Sequence, residues 1–392
     1  MTKKPTQSFD LVVVGGGILG TFHAYHALRR GLRVALLEKD QKPQGATTRN
    51  FGQVVPSGMD IKWQRYGRRS LEIYRDLQSQ VDLSFRQQGS IYFASDDDEW
   101  TLLQELAKIN QTENYQSSLW TAEECLLQYP GLRSEYVVGG LFFPEEMNVN
   151  PRVAIHRLIA FLQEKHQLSY HPNSPVIGVD RQGSLCTVTD SRGNQYLSEK
   201  VVICNGSDFE FLFPEVFQQS DLTRVKLQMF STRPQPKQRI PGSILTGLTI
   251  RRYEAFQECP SYSNILAKGP KSPFAKDWGI HILFKQEADG TVILGDSHEY
   301  AQVDQGEILG FDTRDEINRY ILTAAQEIFD LEDWTIQDTW VGIYSQCRDQ
   351  DIFLHEIDEH IHIVTGIGGK GMTGSAGFSE KNIARIFNLI ES

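Results

Sequence analysis

Apolar and polar positions alternate along this chain in blocks that change period several times. Phe9-Asp-Leu-Val-Val-Val14 is an apolar run of strand length, the kind buried on both faces of a parallel sheet. It leads directly into Gly15-Gly-Gly-Ile-Leu-Gly20. Apolar residues at Leu19, Phe22, Ala24, Ala27 and Leu28 then follow helical spacing, and they predict a helix from Ile18 to Arg30 that stops at Gly31. Arg33-Val-Ala-Leu-Leu37 predicts a second strand, ending at Glu38. Strand, glycine turn, helix and strand make one βαβ unit.

Beyond Gln41 the period lapses into a polar loop or helix start, Gly45 to Gly52. Helices are expected over 60–82, 98–112, 151–165 and 316–329, and a last one running to Ile390. Strand patterns recur at Gly89–Ala94, Val137–Phe143, Val176–Asp180, Leu185–Asp190 and Lys200–Cys204. Between residues 223 and 300, β-branched and aromatic residues broken by Gly and Pro predict an antiparallel sheet, with strands at Leu227–Thr232, Gly279–Lys285 and Thr291–Gly295. His360–Thr365 enters a second glycine-rich turn, Gly366 to Thr373. The fold expected is α/β, a Rossmann-like nucleotide-binding domain with a second α+β domain built on a large antiparallel sheet. The nucleotide domain is discontinuous (1–83, 145–222 and 335–392), and the substrate domain takes 84–144 and 223–334.

Composition narrows the partners. The 392 residues carry 39 Lys+Arg against 50 Asp+Glu, a formal charge of −11, which disfavours a nucleic-acid surface but leaves room for a local anion pocket. With 40% apolar and 23% charged residues the chain is expected to be globular rather than disordered. Cys125, Cys186, Cys204, Cys259 and Cys347 are an odd, scattered set without a CxxC pair, pointing to a reducing compartment and to no metal site. The basic opening, with Lys3 and Lys4, is not followed by a signal-peptide pattern, and no run is long enough to span a bilayer. A cytoplasmic protein is expected, with no membrane or nucleic-acid partner, as a monomer or a homo-oligomer.

Gly15, Gly17 and Gly20 form G-x-G-x-x-G: a tight turn, a close approach for a pyrophosphate, and close helix–sheet packing. The helix N-terminus beyond Gly17, at Ile18 and Leu19, turns N–H groups and a positive dipole toward phosphate. Glu38, at the end of the second strand, is placed to accept hydrogen bonds from a ribose diol, and its charge disfavours a 2′-phosphate. The fingerprint alone does not separate FAD from NAD. The second glycine turn does, because an extended cofactor such as FAD uses two backbone amide clusters.

Val13–Gly20, Leu37-Glu-Lys39, Gly45-Ala-Thr-Thr-Arg-Asn50, Gly290–Gly295, Trp340-Val-Gly342 and Thr365–Thr373 occur in the order seen in the FAD-dependent D-amino-acid oxidase superfamily, which this chain resembles over essentially its whole length. The resemblance implies amine oxidation by hydride transfer to flavin N5, imine hydrolysis, and reoxidation by O2 or another acceptor. It implies non-covalent FAD, since Ile343 stands where covalent members carry Cys and Cys347 is offset. It also places Lys39, Thr48, Arg49, Asn50, Val176, Asn205, Gly206, Gly342, Gly368, Gly369, Gly371, Met372 and Thr373 against the cofactor. Arg49-Asn-Phe-Gly-Gln53, Gly295-Asp-Ser-His-Glu-Tyr300 and Gly368–Ser375 are similar to a branch associated with phosphonate breakdown, acting on 2-aminoethylphosphonate or its N-methyl form.

Departures from the family pattern sharpen the substrate expectation. Tyr344 stands at the position of the usual carboxylate-clamping Arg, and Thr373 at that of the sarcosine oxidase Lys. Lys370 and Arg348 are the cations expected to hold a different anion. His298 is expected to assist amine deprotonation, or else to stand behind the site, and His281 reads as pocket or packing. Arg251-Arg252 reads as a solvated face, with one of the pair reaching an anion as the alternative, and Asp96–Glu99 as a solvated helix start. The substrate expected is a small amine with an anionic tail. A glycine- or sarcosine-like acid is the alternative, and an inactive flavin-binding subunit is a reading of another class.

Overall fold

The computed structural model describes residues 8–389; residues 1–7 and 390–392, which include Lys3, Lys4 and the expected helix end at Ile390, lie outside the described residues. A parallel core builds the first sheet: Ser8–Val14 lies between Val34–Leu37 and Gln195–Ile203, with Ser169–His171 and Ile361–Thr365 beyond. Val12 stands opposite Ala35 on one side and Val201 on the other, so the apolar run is covered by apolar neighbours on both edges. The helices Ile18–Arg29 and Gly371–Ile386, from opposite ends of the chain, pack together against it. His26 Nε2 lies 2.8 Å from the Ala376 carbonyl, and His23 contacts Ser379 and Asn382.

The second sheet is antiparallel except where Ser243–Leu245 runs parallel to Ser90–Ala94. Its order runs from Glu299–Gln302 through Leu222–Thr232, Val292–Gly295, Leu283–Gln286, Ser243–Leu245, Ser90–Ala94 and Gly139–Phe143 to Ser118–Thr121. Leu222–Thr232 also pairs along its length with Ile336–Cys347. The overall class is mixed α/β, as expected.

Several boundaries differ from the expectation. Ile336–Cys347 is a twelve-residue strand that polar Gln337, Asp338 and Gln346 conceal, and it joins the second sheet although 335–392 reads as nucleotide-binding chain. Leu222–Thr232 starts five residues early because Thr223, Arg224 and Lys226 are buried with it. Gly279, at φ +54, and the following residues form a loop, leaving only Leu283–Gln286 as strand. The last helix ends at Ile386.

Candidate active site

A single cleft of about 2080 Å³ is lined by the C-terminal ends of the parallel strands and by one face of the second sheet. That is roughly twice the upper end of the volume range for drug-sized ligand pockets, as a long ligand plus a small one require. At one end Glu38, only 6% exposed, accepts hydrogen bonds from the backbone N–H groups of Gly16 (2.8 Å) and Asp40 (3.0 Å). Burial raises its pKa while these two bonds work against the rise. Lys39, at the same rim, is spent on an ion pair with Asp208 at 3.0 Å. Val176 lines the neighbouring wall.

The first glycine turn follows. Gly15 has φ +101, and a Cβ there would stand 2.2 Å from the Cys204 carbonyl oxygen. A Cβ on Gly20 would meet the Gly15 oxygen at 2.1 Å, so strand and helix touch at their backbones. Gly17, Ile18 and Leu19 face the cleft. Thr47 supports them, its Oγ1 accepting from the Ile18 N–H at 2.9 Å. Thr48, expected here, is turned a helical step away, and its hydroxyl donates to Gly45 O at 3.2 Å on the outer surface. Nothing in the Thr-Thr pair distinguishes the two beforehand.

The middle of the cleft is made of Arg49, Asn50, Gln53, Asn205, Gly206, Gly342, Gly368, Gly369, Gly371, Met372 and Thr373. Several side chains here serve the protein: Asn50 caps its own turn through Ala46 and Thr47, and Thr373 Oγ1 accepts from the Val55 N–H at 3.1 Å. A Cβ on Gly206 or Gly369 would meet nothing within 4 Å, whereas one on Gly342 would press on Arg49 at 3.1 Å. Gln53 Nε2 and Asn205 Oδ1 are buried without a hydrogen-bond partner. Unpaired buried polar atoms beside two glycine turns fit an extended cofactor such as FAD, rich in donors and acceptors.

The far end is walled by Arg252, Tyr253, His281, Asp296, His298, Tyr300 and Tyr344. Tyr344 is there as expected, with burial holding its phenol well above the usual range and so neutral. His298 is also present, but burial and Arg252 push its pKa down to about 3, and its Nδ1 donates to the Gly279 carbonyl at 2.9 Å. It is a neutral imidazole. His281 is likewise driven well below its usual value by burial, its Nδ1 lying 3.2 Å from Thr249 Oγ1.

Three charge assignments need correction. Lys370 lies on the cleft wall, but its ammonium is taken by Glu254 Oε1 at 2.7 Å and Asp351 Oδ1 at 3.5 Å, above the Trp63 ring. Arg348 is exposed at the outer rim and donates to the Asp221 carbonyl at 3.3 Å; four residues of extended strand carry it away from Tyr344. Of the pair read as solvated, Arg251 is bound to Asp96 (2.8 Å) and to fully buried Glu99 (2.9 Å), whereas Arg252 turns into the cleft. Its Nη2 donates to Tyr300 Oη at 2.7 Å and its Nη1 to Gly279 O, and no carboxylate forms an ion pair with it among the described residues. Arg252 and Asp296, like Thr47 and Tyr253, line the cleft although the sequence reading did not assign them to the site. The only prior signal for the first two was their place in an Arg-Arg pair and in the quoted stretch after Gly295.

The profile described as "DAO: FAD dependent oxidoreductase" matches residues 10–381. Among curated proteins, one of the subunits of opine oxidase from Rhizobium meliloti is 25% identical over 238 residues, 57% of this chain and 63% of that protein. Glycine oxidase of Bacillus licheniformis is 21% identical over 217 residues, 53% of this chain and 57% of that one. The chain thus spans less than two thirds of either relative's length. Among solved structures, glycine oxidase from Geobacillus kaustophilus superposes with a TM-score of 0.77 at 15% identity, covering 99% of this chain and 96% of its own. L-proline dehydrogenase from P. horikoshii gives 0.78 at 20% identity, with 98% and 94% covered. At these identities the structural likeness speaks for the fold.

Proposed function

The chain belongs to the DAO family of FAD-dependent oxidoreductases, and from that premise we propose that it oxidises a small primary or secondary amine with an anionic tail. The substrate favoured is 2-aminoethylphosphonate or N-methyl-2-aminoethylphosphonate, giving phosphonoacetaldehyde after imine hydrolysis. FAD, held non-covalently, accepts the hydride when bound, with O2 or another acceptor taking the electrons on. Glu38 takes the ribose, the Gly15–Gly20 turn the pyrophosphate, and the Gly342 and Gly368–Thr373 segments flank the flavin. The chain's own task is to hold the anionic end, point the C–H bond, and present the amine unprotonated.

One observation carries the substrate reading. Where the family's carboxylate clamp is expected stands the neutral, half-buried phenol of Tyr344, while Arg252, which forms no ion pair with a carboxylate among the described residues, lines the same end of the cleft. An anion held by Arg252 does not use the position of the usual clamp, as a substrate other than an α-amino acid requires. The guanidinium fork suits either oxyanion. A glycine- or sarcosine-like acid is the second reading, favoured by the glycine oxidase relatives. A flavin-carrying subunit without its own turnover is the third, favoured by the opine oxidase relative, itself one part of an assembly.

Anaerobic titration of the yellow protein with aminoethylphosphonate, its N-methyl form, glycine, sarcosine and D-alanine separates these. Bleaching of the flavin band at the lowest concentrations of a phosphonate is expected. Faster bleaching by an amino acid selects the second reading, and no bleaching by any amine the third.

A further inference from the structure

The far end of the cleft holds a carboxylate that nothing in the fold explains. Asp296 follows the strand Val292–Gly295 and is 9% exposed, yet no other described residue donates a hydrogen bond to its side chain or pairs with it as a formal ion pair, the nearest imidazole nitrogen being 4.0 Å away on His298. Its backbone is fixed: the Asp296 carbonyl accepts from the His281 N–H at 2.8 Å, and the His298 N–H donates to Trp278 O at 2.7 Å. One nitrogen of each of His281 and His298 and one Asp296 carboxylate oxygen therefore lie within 4.8 Å of one another. An ammonium making hydrogen bonds of about 2.8 Å spans acceptors roughly 4–5 Å apart. Metal–ligand bonds of about 2.0–2.2 Å would need a tighter set. The neighbouring guanidinium of Arg252 also disfavours a dication.

Resting on the amine-oxidase reading above, we propose that Asp296 receives the ammonium end of the substrate and takes its proton, while Arg252 holds the anionic end. In that step an N–H bond of the ammonium breaks and an O–H bond forms on the carboxylate. The nitrogen keeps the electron pair that the later C–H oxidation requires, and no oxidant is consumed.

The surroundings agree. Burial raises the Asp296 carboxyl to about 7, with Arg252 opposing the rise. That is close to the operating pH, where a proton acceptor works best. His281 and His298, both held neutral by burial, are too weakly basic to take the proton themselves. Burial also keeps the Tyr253 and Tyr344 phenols protonated, and Tyr300 is engaged by Arg252. Asp296 is left as the acceptor that titrates in the working range.

The test is stopped-flow anaerobic reduction of the holoenzyme between pH 5.5 and 9, for wild type, Asp296→Asn and Asp296→Glu. The probe is whichever amine bleaches the wild type fastest, so a wrong substrate assignment shows in the wild type alone and leaves the Asp296 comparison intact. For wild type the second-order reduction rate should climb about tenfold per pH unit below about 7 and then level. Asp296→Asn, with its flavin spectrum unchanged, should lose about 10²-fold or more and lack that limb. Asp296→Glu should restore the limb. An Asn variant with the wild-type pH profile overturns the proposal, as does wild-type activity that EDTA removes and a divalent metal restores.

Discussion

At the scale of single residues, steric room and charge separate the two ends of the cleft. Gly20 tolerates no side chain, because its Cβ would stand 2.1 Å from a backbone oxygen that cannot swing away. Gly20→Ala is expected to purify with less than a tenth of the wild-type flavin-to-protein ratio, read from absorbance. At the other end Arg252→Lys should keep the charge but lose the fork, raising KM about tenfold, and Arg252→Met should raise it a hundredfold or more, with flavin content unchanged in both. The glycines and Glu38 were legible because their meaning is local, set by a strand, a turn and a helix within one short stretch. Arg252 and Asp296 were not, because what brings each to the cleft is set by residues distant in sequence. Arg251 and Arg252 are indistinguishable as letters, and only the carboxylates of Asp96 and Glu99 decide which one is spent.

Between residue and molecule, the segment that carries Arg252 owes its position to a neighbouring helix. Asp97–Thr112 begins as the acidic run predicts, with Asp96 as its N-cap, its side chain accepting from the Glu99 N–H. Glu99, read as solvated, is instead fully buried, accepting from Ser95, Arg251 Nε at 2.9 Å and Lys271 Nζ at 2.7 Å. A helical period places every fourth residue inward, but it does not reveal that two cations wait there. Glu99→Ala leaves Arg251 half-buried without its main partner and should cost about 3–5 kcal/mol in urea unfolding. KM should rise as well, because Arg252 shifts with its neighbour, while Asp98→Ala on the exposed face should change neither by much. The strand Ile336–Cys347 was hidden for a related reason. Its mixed polarity is what a strand shows when it faces a cleft on one side and a sheet on the other.

For the molecule as a whole, the buried carboxyl groups set how stability follows pH. Glu146 is fully buried where the turn Pro56–Gly58, the strand Ser90–Ala94 and Tyr115 meet; it accepts from the Ser57 N–H and Tyr115 hydroxyl, each at 2.8 Å, and from Ser90. Burial raises it to about 7, against an ordinary carboxyl near 4.5. A carboxyl raised in the folded state stabilises most below its unfolded pKa, and that contribution fades as pH climbs through the folded value. The wild type should therefore lose on the order of 3 kcal/mol between pH 4.5 and 8 from this group, with Asp296 adding in the same direction. Glu146→Gln should flatten that slope in urea melts at a series of pH values. No helix of the described chain is long and apolar enough to cross a membrane, and all five cysteines are unpaired.

The packing of Ile18–Arg29 against Gly371–Ile386 has a consequence for biosynthesis. On the cofactor placement proposed above, a nascent polypeptide that has emerged only as far as its antiparallel sheet owns one half of the grip on its prosthetic group, and the other half is still to be translated. Loading must then wait until the ribosome has made the chain past residue 371, so riboflavin starvation should leave behind full-length colourless protein that turns yellow when the vitamin returns, with no new synthesis.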